Sequence, residues 1–345
     1  MQNPNSHNSL DRMLHDFSLG NTSLAELSFD IESIFFKNSP LSTENIFITG
    51  LARSGTTSIF NYLHESVEYA SLLYSDMPFL LMPNLWDKLS NKKKMPKTER
   101  FHGDNILVGN DSPEALDEFF WKVFLGNSYI KNDFLSLNNI TDTILEKYQE
   151  YISLICRARG KSKYLSKNNN SILRLPYLLK MNSPSKVILL YRNPIDHASS
   201  LMKLHLRFSD IQKKDKFTLR YFNYLGHHEF GLNQKPFLLD QATDSSILTQ
   251  EKTSLDFWLN SWINYYKYIL NNFSNNITLV SFEDVCSNPE KPYSYLKELL
   301  NIPDYEKIPL PYTAPAYNEK NEFSKILSAQ ASEIYNELNK KRVYI

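Results

Sequence analysis

Cysteine is nearly absent: the chain has two in 345 residues, Cys156 and Cys286, far apart and neither with a partner at C-x-x-C spacing. That excludes a disulfide framework and a cysteine-built zinc site. Net charge is absent too, with 38 basic residues against 38 acidic ones. No whole-molecule field draws in nucleic acid or an anionic membrane, so an anionic ligand has to be held by a few cations placed locally. No apolar run approaches the roughly 18 residues of a membrane span. The opening stretch, Met1-Gln2-Asn3-Pro4-Asn5-Ser6-His7-Asn8, lacks the basic-then-apolar order of a secretory signal. The expectation is a cytoplasmic chain with no transmembrane segment and no nucleic-acid partner. What is present is ordinary globular composition, 42% hydrophobic and 22% charged, which rules out a fibre or wholesale disorder.

Apolar periodicity predicts a helical pair over 9–37, with Leu10, Met13, Leu14 and Phe17 on one face of its first member. Asn45-Ile46-Phe47-Ile48-Thr49 reads as a strand, followed by a Ser/Gly/Thr loop and a helix through Ile59, Phe60 and Leu63. Ser112-Pro113-Glu114 has the cap, the N1 proline and the first-turn acid of a helix running to about 125. A capping box, Thr143-x-x-Glu146, opens another that closes at Gly160. Beyond it come a strand at Tyr164–Lys167, a helix over 172–179, a strand at Lys186–Tyr191, a helix from Pro194, an aromatic helix around Trp258 and Trp262, a strand at Ile277–Phe282 and a helix around Tyr295–Leu300. This alternation predicts an α/β fold with a doubly wound parallel sheet. The whole chain, 1–345, reads as one domain, with helical insertions at about 68–160 and 205–255.

Gly50-Leu51-Ala52-Arg53-Ser54-Gly55-Thr56-Thr57 lies between the first strand and its helix. Its G-x-x-x-x-G frame is that of a loop whose N–H groups and helix N-terminus cradle anionic oxygens. A nucleotide triphosphatase has Lys and then Ser/Thr after the second glycine. Here Thr56 takes the lysine's place and the cation sits inside the loop as Arg53. The loop is built for an anion without an evident magnesium scheme. A second constellation lies further on: the strand Val187–Tyr191 ends in Arg192-Asn193-Pro194, with Ser199-Ser200 in the helix that follows.

These motifs resemble the sulfotransferase superfamily, whose 5′-phosphosulfate loop reads Lys/Arg-Ser-Gly-Thr-Thr after a strand and whose second motif is a strand ending in Arg with a Ser eight residues on. The Arg-first form is similar to that of tyrosylprotein and bacterial carbohydrate-type enzymes. The resemblance implies that Arg53, Ser54, Gly55, Thr56 and Thr57 hold the 5′-phosphosulfate of 3′-phosphoadenosine-5′-phosphosulfate (PAPS), that Arg192 and Ser200 hold its 3′-phosphate, and that Lys167, in Leu165-Ser166-Lys167-Asn168-Asn169, touches the transferring sulfuryl group. It implies a phosphate-loop-like nucleotide-binding core over about 45–300, PAPS as co-substrate, no metal, and a small-molecule or glycan acceptor, a saccharide hydroxyl above all. The chain departs from cytosolic members at Ser58, where they carry an adenine-stacking Trp, and lacks their C-terminal Arg-Lys-Gly segment.

The acceptor hydroxyl needs a positioned base. Cytosolic relatives use a His two residues after the lysine, and that place is Asn169 here. The resemblance to tyrosylprotein-type enzymes points to Asp76, while His102 and Asp104 are further candidates. Each of the three also suits a turn or cap. His227-His228-Glu229 has no third spaced ligand and is not read as a metal site, and Trp258, Trp262, Tyr265 and Tyr266 read as core. Two rival functions stay open: a phosphotransferase using ATP and magnesium, and a catalytically silent binder of phosphoadenosine nucleotides or acidic glycans.

Overall fold

Five parallel strands form the central sheet: β1 (Glu44–Thr49), β2 (Tyr69–Ala70), β3 (Lys163–Lys167), β4 (Ser185–Tyr191) and β5 (Thr278–Ser281), in the order β2-β3-β1-β4-β5. The computed structural model describes residues 9–66, 68–90, 98–99, 107–109, 111–239, 245–303, 307–311 and 323–344. Successive strand residues point to opposite faces. Phe47, Val187, Leu189 and Leu279 therefore enter one apolar layer, and Ile46, Ile48, Ile188, Leu190 and Val280 the other. Helices cover both. Asp142–Arg159, Pro194–Lys214 and Leu255–Asn272 supply Tyr151, Ile155, Phe208, Trp262 and Tyr266 to the first layer. Thr56–Glu65 and Glu290–Leu300 supply Ile59, Phe60, Leu63 and Leu296 to the second. The sheet is doubly wound, as its buried strand sequences require.

The N-terminal pair forms as Ser9–Gly20 and Thr22–Phe35, capped at Asn21, whose side chain accepts from the Leu24 N–H. It is tied to the body by Leu19 and Phe29 in the core and by the fully buried Glu32, whose carboxylate accepts the N–H groups of Asn84 and Leu85. Among the described residues no helix is long and apolar enough to cross a membrane.

Three local expectations are revised, each for a physical reason. The helix after Ser112-Pro113 begins only at Glu118. Pro113 is instead bridged to Leu73, and the Glu114 carboxylate turns to its neighbour's N–H and to distant side chains. The cap of the long helix is Thr141, accepting from Ile144 N–H, and not Thr143. The helix over 172–179 starts earlier and in a tighter form, Asn169–Arg174, and continues as one α-turn at Leu175–Leu178. The Asn168 side chain starts that tight helix by accepting from Asn170 N–H.

Candidate active site

The strand order reverses at β1, whose sequence neighbours go to one side while β4 and β5 go to the other, so the C-terminal ends of β3, β1 and β4 lie side by side at the switch point, where open α/β sheets bind their ligands. Register makes this concrete. Ile48 is opposite both Lys167 and Ile188, and Asn168 N–H donates to Ile48 O at 3.0 Å. Three motifs that are widely separated in the chain thus reach one edge.

The loop after β1 has a backbone only this sequence allows. Arg53 and Gly55 lie in the left-handed region at φ 72° and 91°. A Cβ at Gly50 would stand 2.6 Å from the Leu190 carbonyl, and one at Gly55 would strike the Phe282 ring. Gly55 is the N-cap of the helix Thr56–Glu65 and offers no side-chain acceptor to its first turn, where Ser58 N–H donates to Gly55 O at 3.0 Å.

The second motif docks on the first. Arg53 Nε donates to Ser200 Oγ at 3.3 Å, while Ser199 is turned into the core. Ser200 is presented by the helix Pro194–Lys214, started by the Asn193 side chain, which accepts from the N–H groups of Ile195 and Asp196. Arg192 is 5% exposed, its guanidinium 4.6 Å from the Phe282 ring centre and its carbonyl accepting from Trp262 Nε1. Burial pulls its pKa down, the carboxylates of Asp196 and Glu283 oppose this, and the nearby charge of Arg53 adds to it. Arg53 and Arg192 thus feel each other's charge, with Asp196 and Glu283 beside Arg192. His197 ties the motifs from behind through Nε2 to Ala52 O at 2.7 Å, and burial followed by the charge of Arg192 lowers its pKa to about 3. The ring is neutral and donates.

Lys167 reaches the loop. Its ammonium donates to Thr57 Oγ1 and to Glu114 Oε1, each at 3.5 Å, and the residue is 8% exposed. Two neighbouring carboxylates hold the strand end on either side. Asp117 accepts from Ser166 Oγ at 2.7 Å, and Glu118 accepts from Asn168 Nδ2 at 2.8 Å. Glu118 is itself locked by a bidentate pair with the buried Arg174 and by Tyr129 O–H. Burial raises the Asp117 pKa to about 6. Since this lies above the unfolded value near 3.9, the contribution of Asp117 to stability is fully present below about pH 4 and is lost as pH rises through 6. Denaturant melts of wild type and Asp117→Asn are expected to diverge across that window, the variant gaining relative to wild type by ~2 kcal/mol between pH 4 and pH 7.5. Parallel curves would show that Asp117 does not titrate there.

Of the base candidates, Asp76 is fully buried, ion-paired with Arg159 and accepting from Leu73 N–H at 2.8 Å. His102 and Asp104 lie outside the described residues. The carboxylate that does meet Lys167, whose ammonium also reaches Thr57, is Glu114, which sequence reading treats as a helix-start acid. Tyr74 O–H donates to its Oε2 at 2.6 Å, and Ala115 N–H to its Oε1 at 2.9 Å. The signal that could have found it, an acid after Ser-Pro, is the same signal that misled. Trp258, Trp262, Tyr265 and Tyr266 are buried in the core. Among the described residues no cluster of His, Cys, Asp and Glu is arranged to hold a metal. His227, next to Glu229, packs beside Asn169 at the same sheet edge.

Residues 45–307 match the family model described as Sulfotransferase family. The chain belongs to the sulfotransferase family. Crystal structures of sulfotransferases from Mycobacterium tuberculosis and Mycobacterium avium resemble the sulfotransferase described here. The first shares 10% identity with a TM-score of 0.47, over 97% of this chain and 87% of its own. The second shares 13% identity with a TM-score of 0.47, over 96% and 79%. The sulfotransferase domain of the curacin biosynthetic pathway has 14% identity and a TM-score of 0.39, over 85% and 96%. No curated protein matches.

Proposed function

We propose that this sulfotransferase moves the sulfuryl group of PAPS to an acceptor hydroxyl, on a saccharide. The observation that carries the donor reading is the joining of the two anion motifs, Arg53 to Ser200 at 3.3 Å beside the buried Arg192. The fit is supported by the glycines at 50 and 55, where a Cβ would strike the Leu190 carbonyl and the Phe282 ring and force the loop out of this conformation. In this reading Ser54, Gly55, Thr56, Thr57 and Arg53 hold the 5′-phosphosulfate and Arg192 and Ser200 the 3′-phosphate.

The chemistry follows from the charges. In-line transfer forms a bond from the acceptor oxygen to sulfur and breaks the bond from sulfur to the 5′-phosphate oxygen, where negative charge grows. The helix N–H groups and Arg53 stand at that end, and Lys167, shared between Thr57 and Glu114, stands beside the sulfuryl oxygens. The acceptor proton passes to Glu114. A carboxylate already holding three donors is a weak base, which suffices because the hydroxyl acidifies as its bond to sulfur forms.

3′-Phosphoadenosine-5′-phosphate (PAP) is expected to raise the thermal midpoint without magnesium, by about 2.7 kcal/mol of stability at ~100 times its Kd, with ATP doing little. Arg192→Ala is expected to weaken PAP binding by roughly one to two decades, the worth of a charge-assisted hydrogen bond to phosphate. Calorimetry reads both. Magnesium-dependent stabilisation by ATP with none from PAP would transfer the reading to a phosphotransferase, and PAP binding with no transfer to any acceptor would make the chain a silent binder.

A further inference from the structure

Two residues beyond Lys167, at the same strand end, polar atoms are left over. Glu229 Oε1 accepts from Asn169 Nδ2 at 3.2 Å and faces His227 Nδ1 at 3.5 Å. One carboxylate oxygen therefore orients both side chains. Because a carboxylate only accepts, the amide must present its nitrogen to Glu229, which leaves Asn169 Oδ1 pointing away. The other ring nitrogen of His227, Nε2, is left over in the same way. Both remaining atoms, Asn169 Oδ1 and His227 Nε2, are buried with no hydrogen-bond partner among the described residues, and His227 is only 8% exposed. Buried polar atoms without partners cost stability. Such atoms kept beside a reacting centre fit hydroxyl groups that arrive with a ligand. Asn169 is half-buried, so the cluster has an edge toward solvent.

We propose that Asn169 and His227, held by Glu229, form an acceptor subsite that takes two neighbouring hydroxyl groups of a neutral polyol, placing a third hydroxyl against Glu114 and Lys167. This rests on the sulfotransferase reading above. The subsite offers the Asn169 carbonyl oxygen beside the Glu229 carboxylate, so it receives O–H groups and disfavours carboxylate-bearing analogues, whose oxygens would face that carbonyl oxygen and that charge.

The test uses the full chain, PAPS as donor, and a panel of neutral mono- and disaccharides together with the corresponding uronic acids and amino sugars, read by PAP release. Neutral sugars are expected to be sulfated in preference to uronic acids. For the best neutral acceptor, His227→Phe and Asn169→Leu are each expected to raise KM about tenfold, the worth of one hydrogen bond, with kcat within a few-fold. His227→Gln, which keeps a hydrogen-bonding group, is expected to recover part of the loss. PAP affinity and PAP-induced thermal stabilisation should be unchanged in all three, which separates a subsite effect from misfolding or loss of the donor site. Unchanged KM in His227→Phe and Asn169→Leu overturns the proposal. So does a preference for uronic acids, a requirement for the amino group, or a collapse of kcat at unchanged KM, which would make His227 the proton acceptor. Wild-type PAP binding with no neutral sugar sulfated overturns the subsite alone, whereas failure to bind PAP removes the donor reading as well.

Discussion

Glu114→Gln is expected to lower kcat for an alcohol acceptor by ~10²–10⁴ while PAP affinity stays at the wild-type value. Gln keeps the size of the side chain and still accepts from Tyr74 O–H, which donates to Oε2 at 2.6 Å, or from Ala115 N–H. What it removes is the capacity to take a proton and the charge facing Lys167 Nζ at 3.5 Å. Those two losses can be told apart with a second acceptor. An acidic phenol surrenders its proton readily, so a variant lacking only a base should recover most of its rate with p-nitrophenol, whereas one with a misplaced Lys167 should stay slow on both. Normal turnover of the alcohol by Glu114→Gln would leave Glu114 as a partner of Lys167 and send the search for the base elsewhere.

Asp76→Asn is expected to show the opposite signature: kcat near wild type and a fold weakened by about 3 kcal/mol in denaturant melts. The carboxylate is fully buried against Arg159, whose own side chain is 13% exposed. Removing one partner of a buried pair costs about 3–5 kcal/mol, and the partial access of Arg159 to water places this case at the low end. The amide oxygen that the substitution leaves can still accept from Leu73 N–H, so the turn itself should survive. Because Arg159 Nε also donates to Ser71 O at 3.2 Å, and Ser71 Oγ to Leu165 O at 2.7 Å, some loosening should reach β3 as a modest rise in KM. A stable Asp76→Asn protein with kcat reduced by orders of magnitude would return the base to the position to which the sequence resemblance points.

Much of this molecule was determined by local sequence. A short buried strand, a loop with glycine where φ must be positive, and a helix with no side-chain cap are local requirements, so the phosphate loop at Gly50–Thr57 is legible from its own few residues. The same holds for Arg192-Asn193-Pro194, where the Asn cap and the N1 proline leave little freedom, and for the both-sided burial that makes the sheet parallel. Caps proved less legible, because Thr141 and Thr143 are chemically equal and only the first turn of the folded helix chooses between them. Tertiary structure alone decided which polar groups meet. Glu114 carries a helix-start signature, yet the bridge from Leu73 to Pro113 and the hydroxyl of Tyr74, 40 residues away in sequence, draw it to Lys167. Asp76 carries the position of a base, yet Arg159 from a distant helix encloses it. Asn169 and His227, far apart in the chain, share one oxygen of Glu229. Long-range pairings of this kind depend on strand order and register, which bring chain ends together at one edge of the sheet, and no residue's immediate neighbours encode them.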